Sequence, residues 1–221
     1  MATTFKTLTN NDVTTTRTLL HEAIPITGTI VSGTYASDGN IKNYSHGIFQ
    51  SVYDYPFLSS SANHIFDLTA GYSSNSSLSG AASVQNSKKI NIYNEMSQVL
   101  VGYDINGQIL EFDQDGNFAG SATKIQEAVF VNLARLLTKD EIKKGSFELK
   151  VLTGGTPVAP TNLLTIGDYG AANAYKINSP AGEYGILYTS SATPNTNSGV
   201  GLLYYQAGVA VLTGSIFDDA Y

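Results

Sequence analysis

From Phe147 onward the chain is a succession of short β-branched and aromatic runs cut by glycine, proline, asparagine and serine, and this punctuation constrains the fold more than any other feature. Phe147-Glu-Leu-Lys-Val-Leu152, Ala174-Tyr-Lys-Ile177, Tyr184-Gly-Ile-Leu-Tyr188, Val200-Gly-Leu-Leu-Tyr-Tyr205 and Gly208-Val-Ala-Val-Leu-Thr213 are of strand length, and the residues between them favour turns. Residues 146–221 therefore read as a β-hairpin meander or sandwich. Val209-Ala-Val-Leu212 lacks polar alternation, as expected of a central strand covered on both faces.

The preceding part reads as more helical. Residues 7–24 have helical spacing, with Asn10 or Asn11 as cap and Pro25 as stop, and residues 26–35 read as a strand. Within 40–55, Ile41, Tyr44, Ile48, Phe49, Val52 and Tyr53 fall where one face of a short helix would place them, whereas 64–72 alternates as a half-buried strand. Residues 73–87, nearly all Ser, Asn, Gly and Ala, read as a mobile surface loop. A helix is expected over 87–103, from Ile92, Tyr93, Met96, Val99 and Leu100. A hairpin excursion should follow between the turns at Asn106-Gly107 and Asp115-Gly116. Another helix is expected within 124–144, on Phe130, Leu133, Leu136 and Leu137, ending at Gly145. The expected class is α+β: helices in the N-terminal two-thirds packed on antiparallel β structure, with 1–145 mixed and 146–221 β-rich, an arrangement that also fits one domain.

Composition narrows the function. Only 14% of the 221 residues are charged, against about 25% in ordinary proteins, while Ser, Thr and Asn make up about a quarter. Twelve scattered basic residues and a net charge of -6 argue against nucleic acid as a partner. No apolar stretch approaches a membrane span, and the first residues lack a signal pattern. With no cysteine there is no disulfide framework or thiolate chemistry. A surface poor in charge suits a subunit packed among neighbours, where desolvating charge is costly.

No residue pattern carries catalysis, so the chain is read as a non-enzyme without cofactor or metal. His21, His46 and His64 lack metal-site spacing. Asp113, Asp115 and Asn117 resemble the opening of a calcium loop, but Phe118 stands at the glycine position and Lys124 at the closing acidic one, which favours a turn. There is no Gly-x-Ser-x-Gly elbow, and Gly154-Gly155 and Gly167-Asp-Tyr-Gly170 lack a nucleotide-loop context. The fourteen tyrosines remain: Tyr53, Tyr55, Tyr72, Tyr204 and Tyr205 suit core packing with subunit contact or, alternatively, a sugar platform. Together with Val209 and Val211 of the C-terminal strands, these are the candidate interface residues.

Several whole segments carry a likeness: Phe5-Lys-Thr-Leu-Thr-Asn-Asn-Asp12, Thr18-Leu-Leu-His-Glu-Ala-Ile-Pro-Ile26, Asn43-Tyr-Ser-His-Gly-Ile-Phe-Gln-Ser-Val-Tyr-Asp-Tyr55, Lys89-Ile-Asn-Ile-Tyr93, Leu137-Thr-Lys-Asp-Glu-Ile-Lys-Lys-Gly-Ser-Phe147 and the run from Gly201 to Thr213. In these the chain resembles virion structural proteins of tailed bacteriophages, especially contractile-tailed phages of marine cyanobacteria. The resemblance implies a structural subunit of the tail, baseplate or neck, located in the virion and assembled in the host cytoplasm. Its partners would be copies of itself and neighbouring virion proteins. A peripheral receptor- or glycan-binding module is the alternative, with Tyr204, Tyr205 and Asn195 in an aromatic and amide concavity.

Overall fold

The computed structural model describes residues 41–53, 64–80, 83–120, 123–138, 140–156, 159–189 and 199–220. Nine strands occur in them: β1 (Ile41–Asn43), β2 (Phe49–Tyr53), β3 (His64–Tyr72), β4 (Glu127–Leu133), β5 (Glu148–Thr156), β6 (Ala159–Gly167), β7 (Tyr184–Tyr188), β8 (Gly199–Tyr204) and β9 (Val209–Thr213). They form one antiparallel sheet in the order β1-β2-β3-β4-β9-β8-β7-β6-β5. Two meanders, β1 to β4 and β5 to β9, thus meet where β4 pairs with β9, with Phe130 opposite Val211 and Val131 opposite Ala210.

Strand alternation sends apolar side chains to both faces of this centre. Ala128, Phe130, Tyr184, Ile186, Leu202, Tyr204 and Val211 belong to one buried cluster. Val131, Leu187, Leu203, Ala210 and Leu212 belong to the other. Each face therefore needs a cover. The first is covered by α1 (Val84–Leu100) and by the excursion that follows it, which inserts Phe112, Phe118 and Ile125. The helix starts where the Ser83 side chain accepts a hydrogen bond from the Asn86 amide. Its Tyr93 ring stands edge-on to Phe112 at 5.4 Å, while the Tyr93 hydroxyl donates to the Ile125 carbonyl at 2.6 Å and accepts from the Phe112 amide at 3.1 Å. Tyr93, together with Ser97, whose Oγ donates to the Leu110 carbonyl, thus holds the excursion onto the helix.

The second face receives Leu149, Val151, Leu164 and Ile166 of the β5–β6 hairpin, together with Ile216 and Phe217 of a terminal 3-10 helix, Gly214–Ala220. β6 and β7 share only the Gly167–Tyr188 pair, and that short junction lets the hairpin fold across the sheet.

The α+β expectation is corrected: the described residues form a predominantly β fold with one long helix among them. The helix expected within 40–55 is the β1–β2 hairpin, turning at Gly47 with φ +64° and pairing Ile41 with Val52. The helix expected over 124–144 is instead the strand β4 over Glu127–Leu133, followed by a single helical turn, α2 (Arg135–Thr138). In β4 the cause is cover on two sides, which removes polar alternation and lets apolar residues fall by chance at helical spacing. In 40–55 two short strands and their turn are together too short to show a strand period. Phe130 and Leu133, expected on one helical stripe, lie on opposite faces of the sheet. Residues 73–80, expected to be mobile, are tied to the sheet and the excursion, since Ser76 Oγ donates to Glu127 at 2.8 Å and Ser73 Oγ donates to Glu111. The sheet also runs across the proposed boundary near residue 145. The helix at 7–24 and the strand at 26–35 lie outside the described residues.

α1 seats on β3 at Gly71, where an added Cβ would lie 2.7 Å from the Lys89 carbonyl oxygen and 2.9 Å from the Tyr93 amide nitrogen. Gly71→Ala is expected to destabilise the protein by about 1–3 kcal/mol through this overpacking. Urea denaturation with an unchanged midpoint would refute the close seating.

Candidate functional site

The structure divides the candidate interface residues. Tyr204, Tyr205 and Val211 are fully enclosed by the chain's own core and present no surface to a neighbour. Val209 is partly buried against the first cluster. Tyr53 and Tyr72 are partly exposed, Tyr53 beside the His64 ring at 5.2 Å and Tyr72 donating to Asn86 Oδ1 at 2.7 Å. Tyr55, Asn195 and His21 lie outside the described residues.

Tyr205 instead holds together a buried polar knot. Its hydroxyl donates to Asp168 Oδ2 at 3.1 Å, and that carboxylate also accepts from the Gly145 amide at 2.7 Å and the Phe147 amide at 3.0 Å. Lys144 Nζ lies 2.6 Å from Glu183 and 3.7 Å from Glu141, over the rings of Tyr175 and Tyr205. Burial, reinforced by the Asp168 charge, pushes the Tyr205 hydroxyl far above the usual phenol range. Three donors already engage Asp168, so this knot fastens the segment before β5 to the sheet and holds no base poised for proton abstraction.

A second constellation puts Ser51, His64 and Asp67 together. Both Ser51 Oγ and His64 Nε2 bond Asp67 Oδ1, His64 at 2.9 Å. The carboxylate stands between serine and histidine. Activation of a serine nucleophile needs the imidazole in that middle position, so this arrangement is not a relay.

The loop at Asp113 shows what the calcium-like pattern does. Asp113 Oδ1 accepts from the amides of Asp115 and Asn117, each at 3.1 Å, and from Thr123 Oγ1 at 3.2 Å. Lys124 Nζ lies 3.2 Å from Asp113 Oδ2 and donates to the carbonyls of Asn117 at 3.2 Å and Phe118 at 2.9 Å. An ammonium thus sits among a carboxylate and two carbonyls, the oxygen donors a cation loop would use. Among the described residues no group of three or more His, Asp or Glu is placed to hold a metal ion. Burial pushes the Asp113 carboxyl up, but hydrogen bonding with Asp115 and the bond and charge of Lys124 outweigh it and hold it below the usual value. Hydrogen bonding to Asp113, then desolvation, raises Asp115.

Surface available for association lies at the sheet's edge. Among the described residues no strand pairs with the outer edge of β5. On the outward face of its hairpin, Glu148 and Lys150 form an exposed ion pair at 3.0 Å, and Leu163 of β6 is 54% exposed. No helix among the described residues is long and apolar enough to cross a membrane. No family model, curated protein or solved structure matches the chain.

Removing one partner of a buried ion pair leaves the other charge uncompensated, so Lys124→Ala is expected to cost about 3 kcal/mol in urea denaturation. A loss within error of zero would show that the ammonium is dispensable. Asp113 has a folded-state pKa below its unfolded value, so its ionised form contributes stability above the unfolded value. That contribution is lost as the pH falls through the folded one, in the range below about pH 4. Asp113→Asn is accordingly expected to flatten the acid limb of the stability profile, and an unchanged limb would contradict this assignment.

Proposed function

We propose that the chain is a non-enzymatic structural subunit of a bacteriophage particle, a component of the tail, baseplate or neck that associates with its own copies and with neighbouring virion proteins. The observation that carries association is the long β5 edge. An edge of nine residues leaves backbone donors and acceptors outside the sheet, where an added strand can bind them. The exposed Leu163 beside it supplies apolar area. The Glu148–Lys150 pair provides charge of the kind that discourages indiscriminate edge pairing and leaves a matched partner able to dock. That these partners are virion proteins rests on the resemblance of segments such as 43–55 and 137–147.

Association through the enclosed faces of β7 to β9 is not part of the proposal, because the chain's own core occupies them. Their burial moves the expected contact to the β5–β6 hairpin.

Sedimentation of the purified chain at rising concentration is expected to show species larger than the monomer, and Leu163→Lys to shift the distribution toward monomer. Mass spectrometry of purified particles of the encoding phage should detect the chain. A chain monomeric at every concentration and absent from the particles would sink the proposal.

A further inference from the structure

A groove of about 570 Å³ opens between α1, the Ser73–Asn75 turn and the hairpin after the helix, away from the β5 edge. Its size lies within the roughly 300–1,000 Å³ common for small-molecule sites. Tyr93 forms part of the floor, with its hydroxyl already engaged by the chain. The walls carry a different inventory. Tyr103 is 54% exposed, at the base of a hairpin closed by the Tyr103–Ile109 bridge and by Asp104, whose Oδ1 accepts from the amides of Asn106 and Gln108. Gly102, at φ +93°, makes the turn that places Tyr103 beyond the helix end.

Asn75, Asn94 and Gln108, which carry side-chain amides, and Glu111, which carries a carboxylate, line the groove. Ser73 Oγ and Asn75 Nδ2 both donate to Glu111 Oε1, Asn75 at 3.0 Å, which fixes the carboxylate in place. Glu111 Oε2, Asn75 Oδ1 and the side-chain amides of Asn94 and Gln108 have no protein partner among the described residues. The groove is therefore preorganised at one carboxylate, beside several neutral donors and acceptors that only solvent occupies.

We infer that this groove binds a neutral saccharide, the end of a glycan chain. Vicinal hydroxyls both donate and accept, which matches side-chain amides flanking a fixed carboxylate. The C–H face of a pyranose ring matches the exposed face of Tyr103. Phosphates, nucleotides and acidic sugars fit poorly, because no Lys or Arg among the described residues lines the groove and Glu111 repels anions. An organic cation would want an aromatic cage, and Tyr103 is the single exposed ring of the groove among the described residues. The site is separate from the sugar platform expected at Tyr204 and Tyr205, which are buried, and it does not depend on the assembly proposal.

The test is saturation-transfer NMR on the full chain with glucose, galactose, mannose, N-acetylglucosamine, maltose and lactose, and N-acetylneuraminic acid as the anionic control. At least one neutral sugar is expected to receive saturation, followed by titration for affinity, while N-acetylneuraminic acid receives none. Tyr103→Ala should weaken the bound sugar about 3- to 10-fold, and Glu111→Gln about 10-fold or more. Because Glu111 also fastens the Ser73 turn, Asn94→Ala on the helix surface serves as a second variant, expected to weaken binding several-fold with an unchanged circular dichroism spectrum. Silence from every neutral sugar at millimolar concentration would overturn the assignment, as would binding indifferent to Tyr103→Ala and Asn94→Ala, or a preference for the acidic sugar. Sedimentation behaviour should be the same for Tyr103→Ala and the parent chain, which separates this result from the fate of the β5 edge.

Discussion

The central strands β4, β9 and β8 are apolar on both faces, and neither face can be left to water. Burying side chains such as Phe130, Leu202 and Leu203 is worth roughly 1.5–3 kcal/mol each, so the architecture is governed by how two covers are supplied. One comes from α1 and its excursion, the other from a hairpin of the same sheet folded back across it. The first cover is rich in polar groups that end at a groove. The second ends at an open strand edge. The two candidate interaction surfaces are thus the outer sides of two different answers to one burial problem.

A chain with so few charges places two of its lysines inside its own structure. Lys124 satisfies the carbonyls of a turn and the buried Asp113, and Lys144 sits among Glu183, Glu141 and two tyrosine rings. Each holds an irregular connection that has no ladder of backbone hydrogen bonds of its own. Internal cations here do the work that disulfides or metal ions do elsewhere, which fits a sequence without cysteine.

Legibility followed local chemistry. The turns at Asn106-Gly107 and Asp115-Gly116, the alternating strand 64–72 and the centrality of Val209-Ala-Val-Leu212 could be read because each is a matter of side-chain pattern or positive φ. β6 was not legible: Pro160 and the preceding Gly-Gly and Pro look like loop, and only pairing with β5 makes that segment a strand. The Phe130 region misled because double-sided burial removes the period that tells strand from helix. Residue type left Tyr204 and Tyr205 between core packing with subunit contact and a sugar platform, and their 0% exposure, set by strands remote in sequence, keeps only the core packing. The groove had no sequence signal, since Asn75, Asn94, Tyr103 and Glu111 come from three separate elements and only the fold brings them together.

The closing pair of the sheet joins β4 to β9, so the strand that completes the centre comes last among the described strands. Until β9 emerges, β4 has a neighbour on one side only, and β8 likewise waits for its second partner. Contacts of such high sequence separation slow folding, because loop closure must precede the stabilisation it brings. The half-made sheet would expose Val129, Val131 and Leu133 during synthesis, a transient liability toward other chains. Arrival of a single five-residue strand ends that interval, turning two open meanders into one continuous sheet.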